Sequence, residues 1–243
     1  NPYGMPGAPG AYAMACARHM HQYGTTDRQL AEIAVAARQW AQMNPKAFKR
    51  DPLTIEEVLA SPYVSWPFRK LDCCLVTDAA GAVVVTSLER ARDLKKAPVR
   101  VLGWGEGHDH QIISQMPDIT SGPGRISGPD AFAMAGVKHK DIDVAEVYDS
   151  FTYTVLTSLE DLGFCQKGEG GAFVSGGRIA PGGDFPLNTS GGGLSYTHPG
   201  MFGIFTIIEC VRQLRGDFRG QGLRQVADAR IGLVHGTGGK LSA

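Results

Sequence analysis

The sequence predicts an α/β fold in which a layered sheet is covered by helices on both faces. The first 70 residues have helical patterning with no alternating strand signal. From Leu71 onward, short β-type runs alternate with helical segments, as in a sheet packed between layers of helices. Glycine makes up 32 of the 243 residues, roughly twice the usual share of ~7%, and much of the excess lies between Gly163 and Gly239. We therefore expect a functional site built from loops in the C-terminal half.

The N-terminal region is predicted to contain three helices. Residues 1–12 are rich in proline and glycine and are expected to form an irregular lead-in. Helix starts are indicated by the cap candidates Thr26 and Asp27, and by Thr54 with Glu57 at the spacing of a capping box. The predicted helices cover Ala11–Tyr23, Arg28–Met43 and a short segment that reaches Leu59.

The elements after residue 70 alternate between the two types. Strands are predicted over Leu71–Thr77, Ala82–Thr86, Val99–Trp104, Val144–Tyr148 and Ala229–Val234. Helices are predicted over Leu88–Lys95, Ser127–Gly136, Phe151–Leu162 and the apolar segment between Pro199 and Leu214. Ligands of such sheets bind beyond the strand ends, where the loops gather. Tyr148 and His235 lie at predicted strand ends and are therefore expected at a common rim.

Composition excludes several classes of protein. Lysine plus arginine and aspartate plus glutamate are both 24, so the net charge is zero, which argues against a nucleic-acid binder or a polybasic membrane anchor. No apolar run approaches the ~20 residues of a membrane helix. The five cysteines are irregularly spaced, which argues against a disulfide framework or a zinc site. A reduced, cytoplasmic protein is the expectation.

Other histidines and glycines have weaker patterns. His108 and His110 flank an aspartate, but ligands at i and i+2 without a clear third partner do not predict a metal site. His19 and His21 lie two apart on a predicted helix, so they do not share a face, and we interpret them as surface or partner-contact residues. The glycine loops lack the spacing of nucleotide-triphosphate or dinucleotide sites.

The stretch Asn188–Gly203 has the strongest indication of chemistry. Its three consecutive glycines allow positive φ and close approach of a ligand to bare amides. Tyr196 and His198 follow, just before the start of an apolar helix, where exposed amides and the helix dipole favour negative charge. Each of these side chains alone, like Tyr148 and His235, is more often structural than catalytic. Together, at converging loop positions, they indicate an active site.

Four motifs, in this order along the chain, resemble the C-terminal half of the thiolase superfamily. They are Val-Tyr-Asp-Ser-Phe (147–151), Asn-Thr-Ser-Gly-Gly-Gly-Leu (188–194), Thr-His-Pro-Gly (197–200) and His-Gly-Thr-Gly-Gly (235–239). The sequence is most similar to sterol-carrier-protein-type thiolases and their lipid-transfer-protein relatives. The resemblance implies a layered αβαβα sandwich, normally a dimer.

The resemblance also implies a domain organisation. Residues 1–70 resemble the helical loop domain, 71–97 the end of the N-terminal thiolase half, and 98–243 the C-terminal thiolase domain. Thiolases carry their nucleophilic cysteine before the loop domain, so we expect this chain to be a fragment of a longer polypeptide.

The departures from the thiolase pattern concern the acid/base residues. Ser150 stands where these thiolases have an acid/base cysteine, Tyr148 where they have a histidine, and His235 where conventional thiolases have another cysteine. Serine near its ordinary pKa is a poor acid/base group, so ordinary thiolysis is not expected from these residues.

The pattern is similar to lipid-transfer-protein-like aldolases of steroid side-chain degradation. This similarity implies retro-aldol cleavage of a β-hydroxyacyl-CoA to a ketosteroid and propionyl-CoA, with an OB-fold and zinc-ribbon protein as acyl-CoA-binding partner. The implied base is Tyr148 or Tyr196, whose phenol pKa of ~10 a neighbouring group must lower. His198 is the implied oxyanion donor and His235 a second donor or proton source. The implied substrate-binding residues are Ser150, Asn188, Gly192, Gly193 and Gly238.

The expected cofactor requirement is simple: CoA is carried as the substrate thioester, and no redox cofactor or metal is used. We also expect a homodimer. Two alternatives stay open: a degradative thiolase or acyltransferase with an upstream cysteine, and a non-catalytic subunit that binds acyl-CoA or scaffolds a partner.

Overall fold

Two helices joined by a short turn begin the structure. The computed structural model describes residues 7–242, apart from the side chain of Lys240. α1 covers Gly7–Tyr23 and so includes residues expected in the irregular lead-in, because proline is tolerated in a first helical turn. Residues 1–6 of that lead-in lie outside the described residues. α2 covers Asp27–Gln42.

The helix caps predicted in this region form. The Thr26 hydroxyl accepts the Gln29 amide (3.3 Å) while the Gln29 side chain accepts the Thr26 amide (2.9 Å). Thr54 and Glu57 make the same reciprocal pair at 3.2 and 2.8 Å, and α3 (Ile55–Ala60) follows. Such caps satisfy amides that have no partner within the helix. The helical character of the N-terminal region is therefore confirmed.

A short antiparallel pair of strands follows α3 and was not predicted. It joins β1 (Tyr63–Ser65) to β2 (Phe68–Arg69). The strands are too short to show an alternating pattern. α4 (Leu88–Arg92) starts where predicted, after the Ser87 cap, but ends before the predicted Lys95.

The predicted strands before residue 105 do not form. Apart from an isolated bridge between Cys73 and Phe151, no strand pairing involves them within the described residues. A β-type sequence needs a neighbouring strand to receive its amide and carbonyl groups. Leu71–Thr77 donates single amides to the Ser150, Gly193 and His198 carbonyls without forming a continuous ladder. Val84, in the second segment, is 87% exposed. The segments concerned are Leu71–Thr77, Ala82–Thr86 and Val99–Trp104.

A parallel pair of strands forms the sheet of the C-terminal region. β3 (Val144–Val147) pairs with β4 (Gly232–His235), and Val147 lies opposite His235. A single bridge from Ala145 to Leu187 extends the sheet. Both strands were predicted; β4 begins and ends slightly later than its pattern indicated. Because the strands are parallel, their carboxyl ends lie at the same edge.

Helices pack around these strands and leave loops between them. α6 (Thr152–Asp161) follows β3 after a short connection and is buried from Thr152 to Glu160. The Trp40 indole of α2 donates to the Ile179 carbonyl at 2.9 Å. The remaining helices are α5 (Gly124–Ala135), α7 (Gly170–Val174) and α8 (Gly203–Arg215). No helix among residues 7–242 is long and apolar enough to cross a membrane.

His19 is fully buried, so its interpretation as a surface residue is wrong. Its Nδ1 lies 2.9 Å from the Thr25 hydroxyl and its Nε2 lies 2.9 Å from Glu160. Lys167 adds a cation 3.1 Å from the same carboxylate. The ring is buried because both nitrogens have partners. His21, two residues further along α1, is exposed.

Candidate active site

The structure brings Tyr148 and His198 together. Tyr148 directly follows β3, and its amide donates to the His235 carbonyl at 3.0 Å. Its hydroxyl lies 3.0 Å from Nε2 of His198, and the two rings meet edge to face at 5.6 Å between centroids. These residues lie 50 positions apart in sequence. The end of β3 and the loop before α8 therefore form one site.

The Tyr148 hydroxyl lies at the N-terminus of α8. The Phe202 amide, which has no partner within the helix, donates to this oxygen at 3.0 Å. Burial raises the pKa of Tyr148 above its usual value, and the Phe202 amide offsets only part of that effect. Tyr148 is therefore a neutral phenol at neutral pH. The expectation that its neighbours lower this pKa is wrong for the geometry seen here.

His198 is the matching proton acceptor. Burial lowers the pKa of His198 below its usual value, so the imidazole is neutral at pH 7. A neutral phenol then donates to a neutral Nε2, which places the imidazole proton on Nδ1. In this arrangement the phenolic oxygen can gain a proton only as it loses its own to His198.

Two further residues hold the loop that carries His198. The Thr77 hydroxyl accepts the His198 amide at 2.9 Å and lies 2.7 Å from the Thr197 hydroxyl. Asp149, which is fully buried, accepts the Gly193 and Leu194 amides at 2.6 and 3.2 Å. Sequence reasoning missed both residues as part of the site. Asp149 could have been found, because it stands beside Tyr148 in the same motif.

Of the two properties predicted for the three glycines, positive φ is confirmed and open amides are not. Gly191 and Gly192 have φ of +100° and +62°, which favours glycine. A side chain at Gly192 would overlap the Asp149 carboxylate. The Gly193 amide has a protein acceptor and is not a bare amide open to a ligand. In this structure the glycine run accommodates a carboxylate of the chain itself.

The other predicted substrate-binding residues make hydrogen bonds within the chain. Asn188 is buried, and its side-chain oxygen accepts the Val147 amide at 2.8 Å, which fixes the end of β3. The Ser150 hydroxyl lies 3.0 Å from that of Thr154. The Gly238 carbonyl accepts the Tyr12 hydroxyl at 3.1 Å. Their roles toward a substrate stay predictions.

Tyr196 and His235 lie apart from the Tyr148–His198 pair. The Tyr196 ring packs edge to face on Phe205 at 6.0 Å. The His235 ring lies against Gly124 and lines a small cavity between α5 and α6. Burial lowers the pKa of His235 to about 4, and its Nδ1 is buried without a partner. Among the described residues, no hydrogen bond or ring contact joins either side chain to Tyr148.

None of the five cysteines is an activated thiol. All five lie within the described residues and are free. Burial raises the pKa of Cys73, Cys74, Cys165 and Cys210 to about 12 and raises that of Cys16 well above its usual value. Since the thiolate is the nucleophile, these residues are inert at neutral pH.

Potential metal ligands do not cluster in the described part of the chain. No group of three or more histidine, cysteine, aspartate or glutamate side chains is placed to hold an ion there. His108 pairs with Glu106 at 2.8 Å, and His110 contacts Asp109.

Residues 105–243 match the family described as Thiolase C-terminal domain-like. The chain belongs to this family. The Ltp2-ChsH2(DUF35) aldolase has a solved structure that superposes on the whole chain with a TM-score of 0.90 at 33% identity, covering 63% of that structure. A monomeric SCP2-thiolase like protein from Mycobacterium smegmatis has a TM-score of 0.67 over 88% of this chain and 47% of its own, at 20% identity, and supports the fold alone. The thiolase-like α/β fold and the suspected family are confirmed.

Curated relatives of this thiolase-family chain include both lyases and acyltransferases. The 17-hydroxy-3-oxo-4-pregnene-20-carboxyl-CoA lyase of Mycobacterium tuberculosis is 42% identical over 88% of this chain and 57% of its own length. The steroid side-chain-cleaving aldolase of Thermomonospora curvata is 40% identical over 88% of this chain and 56% of its own length. The acetyl-CoA acetyltransferase of Methanothermobacter thermautotrophicus is 39% identical over 95% of this chain and 60% of its own length. The chain thus spans less than two thirds of these relatives.

Proposed function

We propose that the intact protein is a carbon–carbon lyase that cleaves a β-hydroxyacyl-CoA by a retro-aldol reaction. The observation that carries this proposal is the hydrogen bond between the Tyr148 hydroxyl and a neutral His198 at the N-terminus of α8. This pair can act as the acid/base group, a role for which the thiolases that the chain resembles use cysteine at other positions. The names of two relatives, a lyase and an aldolase, support the same chemistry.

The proposed reaction begins with proton transfer from the substrate. The Tyr148 oxygen takes the proton of the β-hydroxyl while its own proton passes to Nε2 of His198. The β-oxygen forms the carbonyl of the ketone, the Cα–Cβ bond breaks, and its electron pair moves into the thioester enolate. The imidazolium proton then returns through Tyr148 to the α-carbon, giving the shorter acyl-CoA. Both residues end in their starting protonation states.

The enolate carries the negative charge that the site must stabilise. The N-terminus of α8 presents a partial positive charge beside Tyr148, and His198 is positively charged at that step. We therefore assign His198 to proton acceptance from Tyr148, in place of the oxyanion role first expected. Roles for Tyr196 and His235 stay predictions.

The proposed substrate is a steroid-type acyl-CoA, and the proposed products are a ketosteroid and propionyl-CoA. CoA would enter as the substrate thioester, with no redox cofactor or metal. The name of a solved relative joins an aldolase to a DUF35 protein, which supports a DUF35 partner. The proposal gives this partner an OB-fold and a zinc ribbon. Homodimerisation and a cytoplasmic location complete the proposal.

The stoichiometry of CoA tests the reaction. The intact protein, purified with a DUF35 partner, is incubated with a β-hydroxyacyl-CoA, and products are quantified by mass spectrometry. We expect equal amounts of ketone and shorter acyl-CoA without added free CoA. No cleavage under these conditions would overturn the proposal.

A thiolase is the second candidate, favoured by the acetyltransferase relative. Thiolysis consumes one free CoA for each bond cleaved, and its substrate is a 3-ketoacyl-CoA. Turnover of that substrate only when CoA is present would establish this alternative.

A further inference from the structure

We propose that Asp149 is a positioning residue whose carboxylate holds the Gly192–Leu194 turn so that Nε2 of His198 stays within hydrogen-bond distance of the Tyr148 hydroxyl. This inference rests on the proposed function for its kinetic part. Its structural part, the coupling of Asp149 to the His198 imidazole, can be measured without turnover.

The carboxylate is buried and bonded to backbone only. Asp149 has no exposed surface, and its two oxygens accept the Gly193 and Leu194 amides. Burial raises the pKa of Asp149 to about 7, and the opposing effects all come from backbone hydrogen bonds. A buried carboxylate without a cation costs stability unless amides satisfy it. The Gly193 and Leu194 amides therefore have to stay in place to satisfy the carboxylate, and the carboxylate in turn holds the turn in place.

The turn fits around this carboxylate. A methyl group at Gly192 would overlap the carboxylate. A methyl group at Gly193 would meet the Asp149 carboxylate at 3.1 Å and Cδ2 of His198 at 3.0 Å. The backbone of Gly193 is thus bonded to the carboxylate through its amide and lies close enough to the imidazole that one added methyl group would reach it. Movement of the turn away from Asp149 would displace the His198 ring.

The segment between the turn and His198 is short and internally bonded. The Gly191 carbonyl accepts the Ser195 amide at 3.0 Å and the Gly192 carbonyl accepts the Thr197 amide at 3.3 Å. Thr77 holds the far end through the His198 amide. Asp149 at one end and Thr77 at the other leave the imidazole little freedom.

The ionisable groups that face Asp149 belong to the same site. Burial is the main cause that raises the pKa of Cys74, and the charge on Asp149 is the next. Burial also raises the pKa of Tyr148, with lesser contributions from Cys74, Tyr12 and, least, Asp149. Asp149 is adjacent in sequence to Tyr148 and accepts two amides of the turn that lies beside His198. It is thus connected to both members of the pair without bonding to either side chain.

The test measures the imidazole directly. Asp149→Asn keeps the shape of the side chain but turns an amide donor toward one of the two N–H groups, which removes one anchor. The pKa of His198 is followed by NMR of labelled histidine, assigned with His198→Gln. We expect it to move from its lowered value toward ~6.5, and kcat on the β-hydroxyacyl-CoA to fall by up to ~10² with little change in KM.

Two further variants complete the test. Gly192→Ala, which pushes against the same carboxylate, should produce the same NMR change and decides the question if the asparagine variant does not fold. Asp72→Asn alters another buried aspartate, which accepts the Arg69 amide and the Thr152 hydroxyl, and should lower Tm without moving the His198 pKa.

The two possible failures are distinguishable. If the wild-type protein does not cleave the substrate, the proposed function fails, but the NMR result still tests whether Asp149 positions His198. If the wild-type protein is active and the Asp149 and Gly192 variants keep both the His198 pKa and kcat, Asp149 is not a positioning residue.

Discussion

The hydroxyl of Tyr148 and Nε2 of His198 are 3.0 Å apart, and the Phe202 amide donates to the same hydroxyl. Both side chains are neutral at pH 7, because burial raises the pKa of the phenol and lowers that of the imidazole. Proton movement within this pair is the basis of the proposed reaction.

Replacing the two candidate tyrosines separately should identify the base. Tyr148→Phe removes the hydroxyl bonded to His198 and should lower kcat by ~10²–10⁴. Tyr196→Phe is the matched control for ring packing, since Tyr196 contacts Phe205. We expect its effect to be smaller. Steady-state kinetics compare the two, and equal losses would contradict the assignment of Tyr148 as the single base.

The activity should have an acidic limit set by His198. The neutral imidazole is needed to accept the Tyr148 proton, and burial places its pKa below ~6.5. The rate should therefore fall in two steps as pH decreases: near pH 7, where Asp149 gains a proton and holds the turn less firmly, and again through the lowered pKa of His198. A pH–rate profile of kcat/KM checks this, and His198→Gln should be slow at every pH. A profile with a limb above pH 7 and none below 6.5 would contradict the proposed protonation state.

His235 should make the fold sensitive to acid. Its pKa is lowered to about 4 by burial, so between pH 6.5 and 4 the unfolded chain binds a proton that the folded chain does not. Stability is thus lost as pH falls through this window, by about 3 kcal/mol at most. The free energy of unfolding in urea should depend less steeply on pH for His235→Gln than for the wild-type protein. His21→Gln, at an exposed position, is the control and should leave the slope unchanged.

The cysteines of this chain should be dispensable for turnover. Cys165 and Cys210 lie outside the candidate site, and burial raises the pKa of each to about 12. Cys165→Ala and Cys210→Ala should therefore keep most of the activity. Treatment with an alkylating reagent provides the second measurement. Loss of activity on alkylation, with normal turnover by the Tyr148→Phe variant, would favour the thiolase alternative.

The buried ion pair between Arg224 and Glu209, which lies next to Thr189 in the glycine-rich loop, should contribute strongly to stability. Arg224 pairs with Glu209, which also accepts the Thr189 hydroxyl at 2.8 Å, and burial raises the pKa of the neighbouring Glu146 well above its usual value. Arg224→Met leaves the buried Glu209 carboxylate uncompensated and should cost ~3–5 kcal/mol of unfolding free energy.

Two variants control the experiment on Arg224. Lys96→Met removes an exposed partner of Asp217 and should cost ~1 kcal/mol or less. The double variant Arg224→Met with Glu209→Gln should recover part of the loss, because one uncompensated charge is gone. Denaturant unfolding measures all of these, and equal losses for the buried and the exposed pair would contradict this account.

Local patterns were sufficient for most of the longer helices and for part of the site, although α7 was not predicted. The caps at Thr26 and Thr54 depend on contacts within four residues, so the sequence alone located the helix starts. The apolar runs that became β3 and β4 were also recognisable, and they place Tyr148 and His235 at neighbouring strand ends. The four ordered motifs identified the family, because their residues are read directly from the chain.

Tertiary structure decided which of these residues meet. Val99–Trp104 has a strand pattern, but a strand exists only where a second chain segment supplies hydrogen-bond partners. The glycine run predicted open amides, yet a carboxylate from the end of β3 occupies the turn. The Tyr148 and His235 backbones pair while their side chains face different surroundings. Such contacts join residues far apart in sequence, so the pattern around each residue does not contain them.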